Sequence, residues 1–131
     1  MDATNFENLD IACARVGKTI AARPSKELEN LITSALAVLE EQGVYALFLF
    51  LKAQTGKTRQ LAEDIHDKLF TFLKKTPQQA PLLPDNNDIF TSLQHMAQDI
   101  DKLLLAHDLA RQSLVYARYH ARIQEKSEVR T

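Results

Sequence analysis

The sequence predicts an all-α fold: a single-domain helical bundle of about five to six helices, spanning residues 1–131 and closing in a long C-terminal helical segment. Three observations predict it. Only three Gly and four Pro occur in 131 residues, too few turn markers for a many-stranded sheet. Apolar residues recur at three- and four-residue spacing over most of the chain. The one run that reads as a buried strand, Val44 to Leu51, has no second run of comparable quality to pair with, and a lone strand leaves its backbone donors unsatisfied. Hydrophobic content is 45% and charged content 25%, enough for a core without disulfides or metals at this length.

The elements follow in order. Residues 5–22 read as a first helix, capped by Thr4 or Asn5, with Leu9, Ala12, Cys13, Val16 and Ile20 on its apolar face. Pro24 ends it and pushes Arg23 extended. Ser25 caps a second helix, with Glu27 and Glu29 favourably placed for its dipole and a stripe of Leu28, Leu31, Ile32, Ala35, Leu36 and Leu39. Gly43 is the expected left-handed residue at its end. Gly43 to Leu51 is then a third helix, apolar on all sides and so expected at the bundle centre. It ends near Gln54, with Gly56 as the stop. Thr58 caps a fourth helix running to about Lys75, with Leu61, Ala62, Ile65, Leu69, Phe72 and Leu73 buried. Residues 76–87 hold three of the four prolines and form the one clear loop.

Helical pattern resumes at Asp88 and runs to about Lys126. Ile89, Leu93, Met96, Ile100, Leu103, His107, Ala110, Leu114, Ala117 and Ala121 make a seam of period 3.5. One unbroken helix of that span would be about 58 Å long, against about 36 Å for the diameter of a compact domain of this size. Either the helix protrudes or it breaks; a break near Gln98–Asp101 is the favoured reading, with Asp99 or Asp101 capping the second part, and a continuous, protruding helix is the alternative.

Composition narrows the function classes. The single Cys13 allows no internal disulfide and joins no Cys/His cluster; packing is its expected role, and a reducing, cytoplasmic setting fits. Met1 to Asn5 is acidic and has no apolar centre, so no signal peptide is expected, and eight apolar residues are too few to span a membrane. The net charge of −1 hides segregation. Residues 51–75 carry six basic and three acidic groups and residues 102–131 the same, whereas residues 1–50 carry four and seven and residues 76–101 none and four. Such asymmetry suits a polyanion on one face and a basic partner on another, or an ordinary mixed surface with internal ion pairs.

Catalytic motifs fail on spacing. Gly17-Lys18-Thr19 and Gly56-Lys57-Thr58 resemble the end of a P-loop, but its earlier Gly is replaced by Ala12 and Leu51, and neither site follows a strand. His66-Asp67 and His107-Asp108 carry the dipeptide of metal-dependent phosphohydrolases, without the upstream His for the first or the downstream Asp for the second. His107 lies on the seam and reads as a hydrogen-bonded core histidine. His95 and Asp99 are one turn apart, two ligands where a transition metal takes three or four. No metal or cofactor is expected, and no catalytic residue.

Two basic segments survive. Lys52, Lys57 and Arg59 lie in a short polar loop beside the fourth helix's N-terminus, where cations, amides and dipole suit a phosphate backbone. Arg111, Arg118 and Arg122 lie on the last helix with Val115 and Tyr119 between them, and arginine interleaved with tyrosine suits RNA.

The segment Leu36 to Leu51, a helix, a Gly and an apolar helix, resembles the small all-helical subunit of type III-B (RAMP-module) CRISPR ribonucleoprotein effector complexes. The Tyr/Arg-rich stretch Leu104 to Arg122 is similar to that family's closing helix. Together they cover about a quarter of the chain; the loop at 76–87 has no counterpart. The resemblance implies a non-catalytic subunit for antiviral defence. It would stack in several copies as a filament beside RAMP-type backbone subunits and support crRNA and target RNA through backbone contacts, with Lys52, Lys57, Arg59, Arg111, Arg118, Tyr119 and Arg122 as the RNA-facing set. Two other readings remain open: a helical protein–protein interaction module without nucleic acid, self-associating through the Ile89–Ala121 seam, and a small metal-dependent phosphohydrolase.

Overall fold

Most helices begin where a side-chain oxygen takes up their first free amides. The computed structural model describes residues 7–130, apart from the side chains of residues 125 and 127–130. Six α-helices follow one another: α1 (Leu9–Ile20), α2 (Lys26–Gln42), α3 (Val44–Lys52), α4 (Arg59–Lys75), α5 (Ile89–Met96) and α6 (Ile100–Arg130), with a 3-10 turn, Gly56–Thr58, ahead of α4. No strand occurs among the described residues.

Ser25 caps α2 as expected, its Oγ accepting from the Leu28 amide at 3.1 Å. Asp88 caps α5 through the Phe90 and Thr91 amides. The expected break falls at Ala97–Asp99, and Asp99 Oδ1 accepts from the Asp101 and Lys102 amides at 3.1 and 3.3 Å. Two expected caps are corrected. Helix α1 starts at Leu9 and is capped by Asn8, whose Oδ1 accepts from the Ile11 amide at 3.0 Å; Thr4 and Asn5 lie outside the described residues. Thr58 does not cap α4: its backbone is already helical (φ −90°, ψ −10°), no α4 amide bonds to its side chain, and its one hydroxyl proton is shared between Gln54 Oε1 at 3.0 Å and the Thr55 carbonyl at 3.1 Å.

Gly43 has the positive φ that was expected, +97°, but with ψ at −175°. The backbone is therefore extended there and not left-handed helical, and α3 starts at the next residue. This corner turns α3 back along α2. Helix α3 buries Val44, Leu47, Phe48 and Leu51 but leaves Tyr45 and Leu49 exposed. Its apolar run therefore does not place it at the bundle centre on all sides. The Tyr45 ring packs 5.4 Å from that of Phe90 on α5.

The whole α2 stripe is buried, as are Ala62, Ile65, Leu69, Phe72 and Leu73 of α4. The loop at 76–87 is not wholly external: Leu82 and Leu83 fold inward, and the Leu83 amide bonds back to the Leu73 carbonyl. The seam holds in two pieces. Ile89, Leu93 and Met96 are buried from α5, and Ala110, Leu114, Ala117 and Ala121 from α6. Between them Ile100 is exposed, because the break resets the helical phase. The seam is thus spent inside the domain and does not offer the continuous self-association face considered above.

The most extensive helix–helix contact is α1 against α6. It is lined by small residues: Cys13 and Gly17 of α1 face a buried row of Ala106, Ala110, Ser113 and Ala117 on α6. A Cβ on Gly17 would stand 2.7 Å from the Ala117 amide nitrogen and the Tyr116 Cβ and 2.8 Å from the Ser113 carbonyl. Two of those atoms are backbone in a long helix and cannot move aside locally. The Gly of the first Gly-Lys-Thr triplet is therefore a close-packing residue. In an open helix Gly17→Ala would gain up to about 1 kcal/mol. Here the overpacking reverses the sign, and we expect a net loss of about 1–3 kcal/mol in urea unfolding with an unchanged m-value.

Candidate nucleic-acid interface

The exit of α3 builds the first part of the site. Ala53 closes the helix, Gly56 takes a φ of +63° that a side chain would strain, and the 3-10 turn feeds directly into α4. Lys52, Lys57 and Arg59 are all exposed here. Lys52 and Lys57 form no ion pair among the described residues, whereas Arg59 Nε reaches Glu63 Oε1 at 3.3 Å across one exposed helical turn. Such a pair contributes little and is readily exchanged for another anion. No acidic residue occupies the first turn of α4 and no side chain caps it; the Glu63 carboxylate, one turn in, is engaged by Arg59.

The second group lies along α6, where that helix runs antiparallel to α2. Arg111 Nε is paired with Glu40 Oε1, and Arg122 Nε with Glu29 Oε1 at 2.7 Å. Glu29 is itself buried, so the second pair has low solvent screening and clamps the start of α2 to the far part of α6. Arg118 is half-buried with Nε enclosed and unpartnered. Tyr119 is exposed. The structure thus brings Lys52, Lys57 and Arg59 together at one connection, and places Arg111, Arg118, Tyr119 and Arg122 on another element with two of their guanidinium groups already engaged. Charge spacing alone marks these arginines as a cationic face; their acidic partners lie about 70 to 90 residues away in the chain, and only the fold pairs them.

The histidines resolve differently from one another. His107 Nε2 lies 3.2 Å from the Leu39 carbonyl. A carbonyl only accepts, so Nε2 carries the proton; the expected hydrogen bond is present, but the ring is part-buried at the edge of the core. His66 is buried between the Phe48 and Phe70 rings, at centroid distances of 5.3 and 6.0 Å. Its burial was missed, because the apolar pattern of α4 gives no weight to a histidine. Its Nδ1 lies 3.0 Å from Asp67 Oδ1 and so donates, which leaves Nε2 as a buried acceptor without a partner. Burial in this aromatic slot pushes the His66 pKa down, and the Lys52 charge adds to the effect, against the opposing pull of Asp67. Burial likewise pushes the Cys13 thiol up, which keeps it protonated, and the thiol contacts the Leu109 carbonyl at 3.5 Å. A hydrogen bond of 2.6 Å to Asp10 raises the Tyr116 phenol; this α1–α6 bridge has no signature in the local pattern.

His95 and Asp99 line a cavity of about 540 Å³ with Lys74 and Lys102, and Asp99 is occupied as a helix cap. A larger open groove of about 920 Å³ separates α1 from α4, floored by Ile11, Ala12, Val16 and Phe72 with Arg15, Lys68 and Asp67 at its rim. No group of three or more His, Cys, Asp and Glu residues could hold a metal among the described residues. No described helix is long and apolar enough to cross a membrane. Comparisons of the chain with models of protein families, with curated proteins and with solved structures find no match in any of the three.

The depressed His66 pKa fixes a sign. The unfolded chain binds the proton more readily, so stability falls as pH drops below about 6.5, the ordinary histidine value, and is fully retained above it. His66→Leu removes the titrating group at similar volume. It is expected to flatten the pH dependence of urea midpoints between pH 7 and 5, while changing stability at pH 7.5 by no more than about 1 kcal/mol.

Proposed function

We propose that this chain is a non-catalytic, RNA-contacting subunit, of the kind found as the small helical subunit of type III-B CRISPR effector complexes, acting in antiviral defence. The observation that carries the reading is the α3–α4 connection. There Lys52 and Lys57 stand exposed without ion pairs among the described residues, beside Arg59, which Glu63 engages in an exposed pair, and a helix start with no acidic residue in its first turn. Such a surface meets phosphates by charge and backbone shape and reads no sequence. Support for several copies and for RAMP-type backbone partners comes from the sequence resemblance. In this reading crRNA and target RNA meet the 52–59 connection first. The α6 set contributes through Tyr119 stacking and through whatever hydrogen-bonding capacity Arg111 and Arg122 retain beyond Glu40 and Glu29.

A second reading, a helical interaction module that binds protein and no nucleic acid, is favoured by the exposed large apolar side chains on α3 and α6. Salt dependence separates the two. Single-stranded RNA binding, followed by fluorescence anisotropy over a salt series, should weaken when Lys52, Lys57 and Arg59 are changed together to Gln. The slope of log K against log salt should fall in magnitude by about 2, from about 0.7 per lost phosphate contact. Changing Arg111 alone should have a smaller effect on the slope, since its charge is largely neutralised by Glu40. Unaltered RNA binding by the triple variant would sink the assignment of this loop, and no salt-dependent binding at all would favour the protein-binding module.

A further inference from the structure

One exposed stripe of α3 ends on the basic connection. Tyr45, Leu49 and Lys52 all stand exposed, Tyr45 at 39% and Leu49 at 48%. At about 100° per residue they share an arc of about 60° on the solvent side of the helix. Tyr45 and Lys52 are two turns apart, about 10 Å along the axis, and Lys57 and Arg59 follow just past the end of α3. The stripe thus runs from an aromatic ring, past an apolar side chain, to the cations of the connection. The ring is held in place. It packs against Phe90 of α5 at 5.4 Å with the planes tilted by 59°, and its hydroxyl accepts from Gln94 Nε2 at 3.3 Å. A ring fixed before binding loses little entropy when a base stacks on it. Because the hydroxyl accepts from Gln94, its own proton stays available to a 2′-hydroxyl or a base edge. Tyr119, the tyrosine singled out by the sequence pattern, has neither a ring contact nor a hydrogen bond among the described residues.

We propose that α3 carries a base-stacking subsite at Tyr45, so that the ligand of the 52–59 connection is a single strand of RNA with unpaired bases. One base stacks on Tyr45, the neighbouring sugar or base lies against Leu49, and the phosphates that follow meet Lys52 and Lys57. The inference rests on the RNA reading of that connection and adds the chemical state of the ligand. Phosphate contacts by themselves do not separate a single strand from a duplex or from any other polyanion. A stacking ring does, because each base face in an A-form duplex is already covered by its neighbour. Cations beside an aromatic platform hold single-stranded nucleic acid without reading its sequence, since every base has a face to stack. The same residues explain why the apolar part of the stripe stays in solvent: Leu49 and the Tyr45 ring are left uncovered next to charge that no acid of the described residues takes up at Lys52 and Lys57.

The chain contains no tryptophan, so Tyr45→Trp places a single fluorescent reporter at the subsite. A single-stranded oligoribonucleotide of about 12 nucleotides should quench it. Inorganic polyphosphate, which carries charge without bases, should compete for the connection and leave the tryptophan unquenched. In anisotropy titrations Tyr45→Ala should weaken single-strand binding by about five- to a hundredfold. The slope against salt should stay as it is, since no phosphate contact is lost, and a duplex of the same length should bind the variant and the unaltered chain alike. Tyr45→Phe keeps the ring and should keep most of the affinity, and circular dichroism checks that the helices persist. Single-strand affinity untouched by Tyr45→Ala, a loss shared equally by the duplex, or a tryptophan that RNA does not quench overturns the subsite. Each does so even where the Lys52, Lys57 and Arg59 triple variant lowers the salt slope, which leaves the connection itself standing. No RNA binding by the unaltered chain overturns both and returns the α3 stripe to the protein-binding reading.

Discussion

The fold depends on how closely α1 can approach α6. Gly17 has no room for even a methyl group, since a Cβ would stand 2.7–2.8 Å from α6 backbone atoms. The facing positions are Ala106, Ala110, Ser113 and Ala117, all fully buried. A crossing this close brings the backbones of two helices into dispersion contact and excludes water without large side chains. It also sets the reach of everything attached to α6. Tyr116 then meets Asp10, and Cys13 meets the Leu109 carbonyl. With α6 held against α1, its other flank lies along α2, where Arg111 finds Glu40 and Arg122 finds Glu29.

That arrangement divides the basic residues by role. Arginines on α6 fasten one helix to another, and the more buried of the two pairs, with Glu29, is the less screened. Lys52 at the end of α3 and Lys57 in the turn that follows have no such employment. They project from a connection shaped by Gly56 and by Thr58 turning its hydroxyl back onto Gln54 and Thr55. A phosphate surface is therefore most naturally sought where charge is unspent, at 52–59, whereas the exposed face of α6 mixes Ile100, Leu104, Tyr119 and Ile123 with charges of both signs.

His66 shows a local rule giving way to the fold. A polar residue one position after Ile65 would ordinarily sit at the edge of a helical stripe. Here the rings of Phe48 from α3 and Phe70 from the next turn of α4 close over it. A neutral imidazole fits this slot at the cost of one unsatisfied nitrogen, and a charged one fits poorly.

The order of the helices, the α2 cap at Ser25, the corner at Gly43 and the break capped by Asp99 were legible in the sequence by itself, because each is decided by residues within a turn of one another. The stripes of α2 and α4 were legible for the same reason, since helical periodicity is local. The tertiary structure alone decided what those faces meet. The role of Gly17 is set by residues about a hundred positions away, and Arg111 and Arg122 lose their apparent freedom to acids on α2. Ile100 leaves the core because the break at Ala97–Asp99 rotates α6 relative to α5. Asn8 caps α1 and Thr58 caps nothing, against expectation in both cases, because a polar side chain near a helix start can bond to several groups, and only the path of the chain chooses among them. The candidate site divides in the same way: its charges are a property of the sequence, and which of them remain available is a property of the packing.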